Sequence, residues 1–292
     1  MNKFRLIVDS SCDLPEDFNV RYNIGVADLI VNFNGQLYLD RKEITASDII
    51  AKYEATHVYP KTAALNIAET EEIFKRELKD YDHIFYLPIS AKISSNYNNA
   101  LLAAQDLGAQ DKITVLDSAS LSSGSGLEAI GISEDIKAGY SPEDIKKRHD
   151  ERVKYIDMSF VIQTLDFLHE GGRCGGLTYF LGNKFNIHPI VRLDDGKMGV
   201  HAIVRGKDLI KGIKKMEDEF FEAFDADNID FSYPILIPHV LGDYAVKKIV
   251  KDLEEKVGQK ILYPVEASGI ICCHCGKDTV GLAYMLKHPL KS

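Results

Sequence analysis

Between residues 4 and 125, three apolar stretches of strand length end in clusters of hydroxyls or carboxylates. "FRLIVDSSCDLP" runs into Asp9, Ser10 and Ser11. "HIFYLPISAKISS" runs into Ser90, Ser94 and Ser95. "KITVLDSASLSSGSG" runs into Asp117 and Ser118. The second and third lead on into helical patterns. Strands alternating with helices predict an α/β layer with a mainly parallel sheet. In open sheets of this kind ligands bind beyond the carboxyl ends of the strands, so three polar strand ends point to one converging site.

The second of these ends is the most informative. Tyr97, Ala100, Leu101, Ala104 and Leu107 recur at helical spacing, with Gly108 as a stop. Ser94 or Ser95 is the expected N-cap, its hydroxyl accepting from an unpaired N–H of the first turn. One cap needs one serine. The surplus hydroxyls are either solvated neighbours or donors to an anion held at the positive end of the helix. This stretch alone leaves both open.

Elsewhere the first half reads as a hairpin about Asn34-Gly35, a helix from Thr45 to Tyr53 capped by Thr45 or Ser47, and a loop at "KTAALN". A helix over 68–79 follows, then one from Ser123 to Ala138 and one with Pro142 at its first position. After residue 153 the texture changes. A strand, a short helix and a glycine-rich turn holding Arg173 precede a hairpin about Asp195-Gly196 and a helix from Asp208 to Phe224. "YPILIPHV", a helix over 243–257, "KILYPVE" and "GIICCHCG" are expected to finish the chain as strand, helix, strand, strand. The expectation is two α/β domains, 1–152 and 153–292.

A chain of 292 residues with 45% hydrophobic and 27% charged residues can build cores in both domains. A net charge of −9 argues against nucleic acid or an anionic membrane as a general partner. Arg5 and Asp9 interrupt the apolar start, which does not read as a secretory signal, and no run suits stable membrane insertion. The cytoplasm is the expected compartment. Five cysteines, Cys12, Cys174, Cys272, Cys273 and Cys275, do not form a disulfide framework. "CCHC" is a poor zinc template, because ligands usually come as pairs spaced by two to four residues. As a strand, it would point Cys272 and His274 one way and Cys273 and Cys275 the other. Buried structural cysteines are expected, with no metal and no cofactor.

Two enzymatic patterns are partly present. Gly124-x-Gly126 resembles a dinucleotide fingerprint but lies six residues past its strand, so close helix packing accounts for it better. A serine hydrolase built on Ser94 would need a His base such as His274 and an acid such as Asp9 or Asp117, yet no G-x-S-x-G elbow surrounds any serine. Such a hydrolase, or a nucleotide-dependent transferase acting on a small lipid-like substrate, is the alternative reading. Arg173 and Arg205 each read either as an ordinary surface arginine or as an exposed fork for a carboxylate or phosphate.

Taken together, "IVDSSCDLP", "ISAKISSNYNNA", "VLDSASLSSGSG", "LHEGGR", "HPIVRLDDGKMGVHAIVRG" and "CCHCGKDTVG" resemble, in order and spacing, the DegV family. That resemblance implies two α/β domains enclosing a long-chain fatty acid between them. It implies a binding subunit, not itself an enzyme, that presents the carboxylate to a separate fatty acid kinase catalytic subunit for acyl phosphate formation. Thr62 and Ser94 would contact the carboxylate, helped by the backbone N–H near Ser95, with His274 close by. Arg173 and Arg205 would dock the kinase. Ser95-Asn96, "TAALN" and Gly276-Lys277-Asp278 depart from the family's usual head-group loops.

Overall fold

A computed structural model describes residues 3–173 and 187–289. The first half runs β1 (Phe4–Asp9), α1 (Glu16–Arg21), β2 (Ile24–Ala27), β3 (Ile30–Phe33), β4 (Gln36–Leu39), α2 (Ala46–Thr56), β5 (Lys61–Ala63), α3 (Ile67–Glu77), β6 (His83–Leu87), α4 (Asn96–Asp106), β7 (Ile113–Val115), α5 (Ser122–Ala138) and α6 (Pro142–Arg152). The second half runs β8 (Ile156–Val161), α7 (Asp166–Glu170), β9 (Ile187–Asp194), β10 (Lys197–Arg205), α8 (Ile210–Asp225), β11 (Ile235–His239), α9 (Asp243–Val257), β12 (Leu262–Glu266), α10 (Gly269–Cys275) and β13 (Val280–Met285).

The described residues form three sheets. One has the order β2-β1-β6-β7 and is parallel throughout. Its central strand β6 is buried along its whole length, as expected for a parallel strand covered on both faces. The second, β10-β9-β8-β13-β11-β12, is antiparallel except at β11-β12. The third is a small antiparallel sheet, β4-β3-β5.

Local chemistry explains the helix starts. Thr45 and Asp48 form a capping box on α2, and Asn66 and Glu69 form another on α3. Pro142 opens α6 behind a Ser141 cap. Asn34-Gly35 and Asp195-Gly196 both take positive φ at both residues, the twist a two-residue hairpin needs. α5 packs against strands of both large sheets. Added Cβ atoms would meet Ser120 Oγ at 2.1 Å from Gly124, and Asp13 O at 2.9 Å from Gly126. These glycines serve close packing, as the sequence suggested.

α1, β2 and β13 have no counterpart in the sequence reading, and two further elements differ from it. Residues 61–63 are a strand, not a loop. Residues 269–275 are a helix, not a strand. Ser268 caps it by accepting from the Ile271 N–H, and Gly276 ends it at φ 74°. Every residue of α10 but His274 is buried, so no polar face betrays its period. Cys272, Cys273 and Cys275 are indeed buried, and burial raises their thiol pKa values. Cys174 lies outside the described residues. No helix among the described residues is long and apolar enough to cross a membrane.

Candidate functional site

The polar strand ends do meet, but most of their groups are consumed internally. Asp9 is buried and accepts from the Ser11 N–H and hydroxyl, the Ile89 N–H and the Asn96 amide. Asp117 accepts from the N–H groups of Ala91 and Ala119. Ser10 donates to Asp40. These carboxylates hold the 89–96 turn and its neighbours in place; they do not face a ligand. Burial raises the pKa of Asp9 and Asp13, and pushes Asp40 up to about 6. Ser94 is the member that opens onto a cavity.

That cavity has walls from both halves of the chain. Leu29, Thr62, Ile89, Ile93, Ser94 and Leu121 come from the first, and Leu168, Arg173, Met198, Ile270, Ile271, His274 and Cys275 from the second. Its volume is about 50 Å³. The lining is mostly apolar; its polar members are Thr62, Ser94, Arg173 and His274, and Thr62 Oγ1 and His274 Nε2 are hydrogen-bonded at 2.8 Å. β5 supplies Thr62, paired with Val31 of β3. α10 supplies His274, and its helical pitch puts Ile270, Ile271, His274 and Cys275 on one wall. α10 itself is anchored on the first half: Asp13 accepts from the Ser268 N–H at 2.9 Å, and Asp40 from the Gly269 N–H at 2.9 Å.

Ser94 Oγ accepts from the Asn96 N–H at 3.3 Å. It therefore satisfies one donor of the first turn of α4 and keeps its own proton free to donate. Ser95 occupies the N-cap position, but its side chain is exposed, makes no capping bond and is not among the cavity's lining residues. Arg173 does line the cavity and donates to Gly171 O at 2.8 Å. Arg205 is exposed at the end of β10, away from the lining. The sequence reading missed Met198 and Leu168 as wall residues. Met198 follows the Asp195-Gly196 turn, and nothing in a hairpin pattern says which strand face meets a distant cavity.

His274 is pushed down to about 4, first by burial and then by the positive charge of Arg173. It stays neutral in the fold at a pH where the unfolded imidazole, near 6.5, is protonated. Its contribution is thus intact above pH 6.5 and lost as pH falls towards 4. Between pH 7 and pH 5 this removes about 2 kcal/mol. Asp40 works in the opposite direction, its raised pKa costing stability as pH rises from about 4 to 6. The stability difference between the parent and His274→Gln isolates the histidine. Urea melts of ligand-stripped protein should show that difference shifting by about 2 kcal/mol against the parent between pH 7 and pH 5.

The ring fits because residue 171 has no side chain. A Cβ there would lie 2.3 Å from His274 Nδ1 and 2.9 Å from Phe167 O. Gly171→Ala is expected to cost about 1–3 kcal/mol in urea unfolding, because neither neighbour has room to move.

A mixed α/β fold with a mostly apolar cavity walled from both halves of the chain, carrying a Thr–His pair and a serine hydroxyl, defines a small-ligand-binding α/β protein. The chain belongs to the DegV family: the family described as "Uncharacterised protein, DegV family" matches residues 3–287. A DegV domain-containing protein of Caldanaerobacter subterraneus is 30% identical over 285 residues, covering 97% of this chain and 99% of its own. The structure of a DegV family protein from Thermus thermophilus, described by its fatty acid binding, is 28% identical with a TM-score of 0.85, covering 97% of this chain and 100% of that one. Bacillus subtilis DegV, a fatty acid binding protein, shares the fold at 24% identity and a TM-score of 0.83, covering 98% of this chain and all of that one.

Proposed function

We propose that this protein binds a long-chain fatty acid between its two domains, 1–152 and 153–292, and presents the carboxylate to a separate kinase subunit that makes the acyl phosphate. The observation that carries this reading is that the hydrogen-bonded Thr62–His274 pair and Ser94 line one mostly apolar cavity. A carboxylate enclosed there must be hydrogen-bonded, since an unpaired buried charge is very costly. The hydroxyls of Thr62 and Ser94 and the backbone near Ser95 are the donors. The tail is held by apolar burial at roughly 0.8 kcal/mol per CH₂. The fatty acid binding of the Thermus relative supports the same ligand class.

Nucleophilic chemistry at Ser94 is the weaker reading, because His274 Nε2 is engaged by Thr62 and not by Ser94. Ligand that binds only the folded state raises the melting temperature by mass action. Saturating fatty acid should therefore raise Tm. No shift across saturated and unsaturated chains of several lengths would count against the proposal. Kinase docking is assigned to Arg173 and Arg205. Alanine at each should leave fatty-acid affinity near that of the parent and sharply reduce acyl phosphate formation in a reconstituted reaction. If affinity falls in step with coupling, that arginine belongs to the pocket.

A further inference from the structure

A cavity of about 50 Å³ is far below the roughly 300–1,000 Å³ of pockets that enclose drug-sized ligands. If the pocket takes an acyl chain, as proposed above, a wall must move to admit it. Most walls are firmly tied. α10 is held at its start by Asp13 and Asp40, β5 is bonded to β3, and the 89–94 turn is held by Asp9 and Asp117.

Met198 stands on a different footing. It belongs to the β9–β10 hairpin, and β9 is laddered to β8 only at Ile190, Val191 and Arg192. From Leu193 to Met198 the hairpin has, among the described residues, only its own strands as ladder partners. Leu193 and Met198 pack against the core that includes the first half. The turn is clasped to the first half at one place. Buried Ser90 donates its hydroxyl to Gly196 O at 2.8 Å, and Lys92 Nζ donates to Asp195 O at 2.6 Å while pairing with the Asp195 carboxylate. Behind the tip, the register slips between Val200 and Ala202, leaving His201 as the extra residue of a bulge. A bulge bends its strand and interrupts the ladder, which suits a hinge.

We propose that the tip of the β9–β10 hairpin is the gate of the cavity, hinged at the His201 bulge and latched by Ser90 and Lys92. Opening withdraws Met198 from the wall; closing places it over the ligand.

A crosslink tests this. A Cβ on Gly196 would lie 3.5 Å from Ser90 Cβ, within the span of a disulfide. In Ser90→Cys/Gly196→Cys, exchange of a radiolabelled C16 or C18 fatty acid should be about tenfold slower or more in the oxidised protein than in the reduced protein. Lys92→Ala, which removes an exposed pair and should fold like the parent, should exchange about two- to fivefold faster than the parent. Equal rates in oxidised and reduced protein, with the crosslink complete by mass, overturn the gate. So does a parent-like rate in Lys92→Ala if the double variant fails to fold. Failure of the parent chain to bind any fatty acid overturns the binding reading itself, and the gate with it.

Discussion

Ser94→Ala is expected to weaken fatty-acid affinity by about 10- to 150-fold, the value of one hydrogen bond to a charged group. Thr62→Ala is expected to do the same, and the two losses should combine less than additively because both hydroxyls serve one carboxylate. Their effects on the fold should differ. Ser94 Oγ holds only the Asn96 N–H, and Asn96 is independently held by Asp9 and Tyr86. Ser94→Ala should therefore melt close to the parent. Thr62 Oγ1 is the partner of His274 Nε2, and buried His274 Nδ1 has none among the described residues. Thr62→Ala should lose about 1–3 kcal/mol of stability besides affinity. Calorimetric titration and urea unfolding measure the two quantities separately. Unchanged affinity in both variants would move the head group elsewhere.

Asp13→Ala is expected to be the most destabilising single change near the site, at about 3 kcal/mol. Asp13 is fully buried and accepts from three directions: Arg41 Nη2 at 2.5 Å, the Ser122 hydroxyl at 2.5 Å and the Ser268 N–H at 2.9 Å. Alanine strands all three donors, two of them on buried residues. Ser122 opens α5 and Ser268 caps α10, so the loss loosens the helix that carries His274. A lower urea midpoint with an unchanged m-value is the expected signature. A variant that unfolds like the parent would show that packing of α10, not the Asp13 anchor, fixes the histidine.

Most of the first half is legible in the sequence because its signals are local. Asn34-Gly35 marks a hairpin, Thr45 marks a cap, and strand–turn–helix alternation gives the parallel sheet; in the second half Asp195-Gly196 marks a hairpin in the same way. What is not legible is hidden by burial or distance. α10 is surrounded by protein, so "GIICCHC" shows no helical stripe; Ser268 and Gly276, a cap and a stop seven residues of helix apart, were the available signal. β13 is buried on both faces between β8 and β11 and has no alternation to read. Asp9 and Asp117 carry the composition of a ligand site, yet their partners are backbone N–H groups that no pattern reveals. Thr62, Ser94 and His274 lie far apart in the chain. The family resemblance singled them out, and the structure lines one cavity with all three.

The central claim is that the cavity holds a fatty acid without chemistry on the protein. Native and denaturing mass spectrometry of the purified chain test it most directly. Excess mass equal to a long-chain fatty acid is expected under native conditions, released completely on unfolding. An acyl adduct that survives denaturation on Ser94, or a nucleotide in place of the lipid, would contradict it.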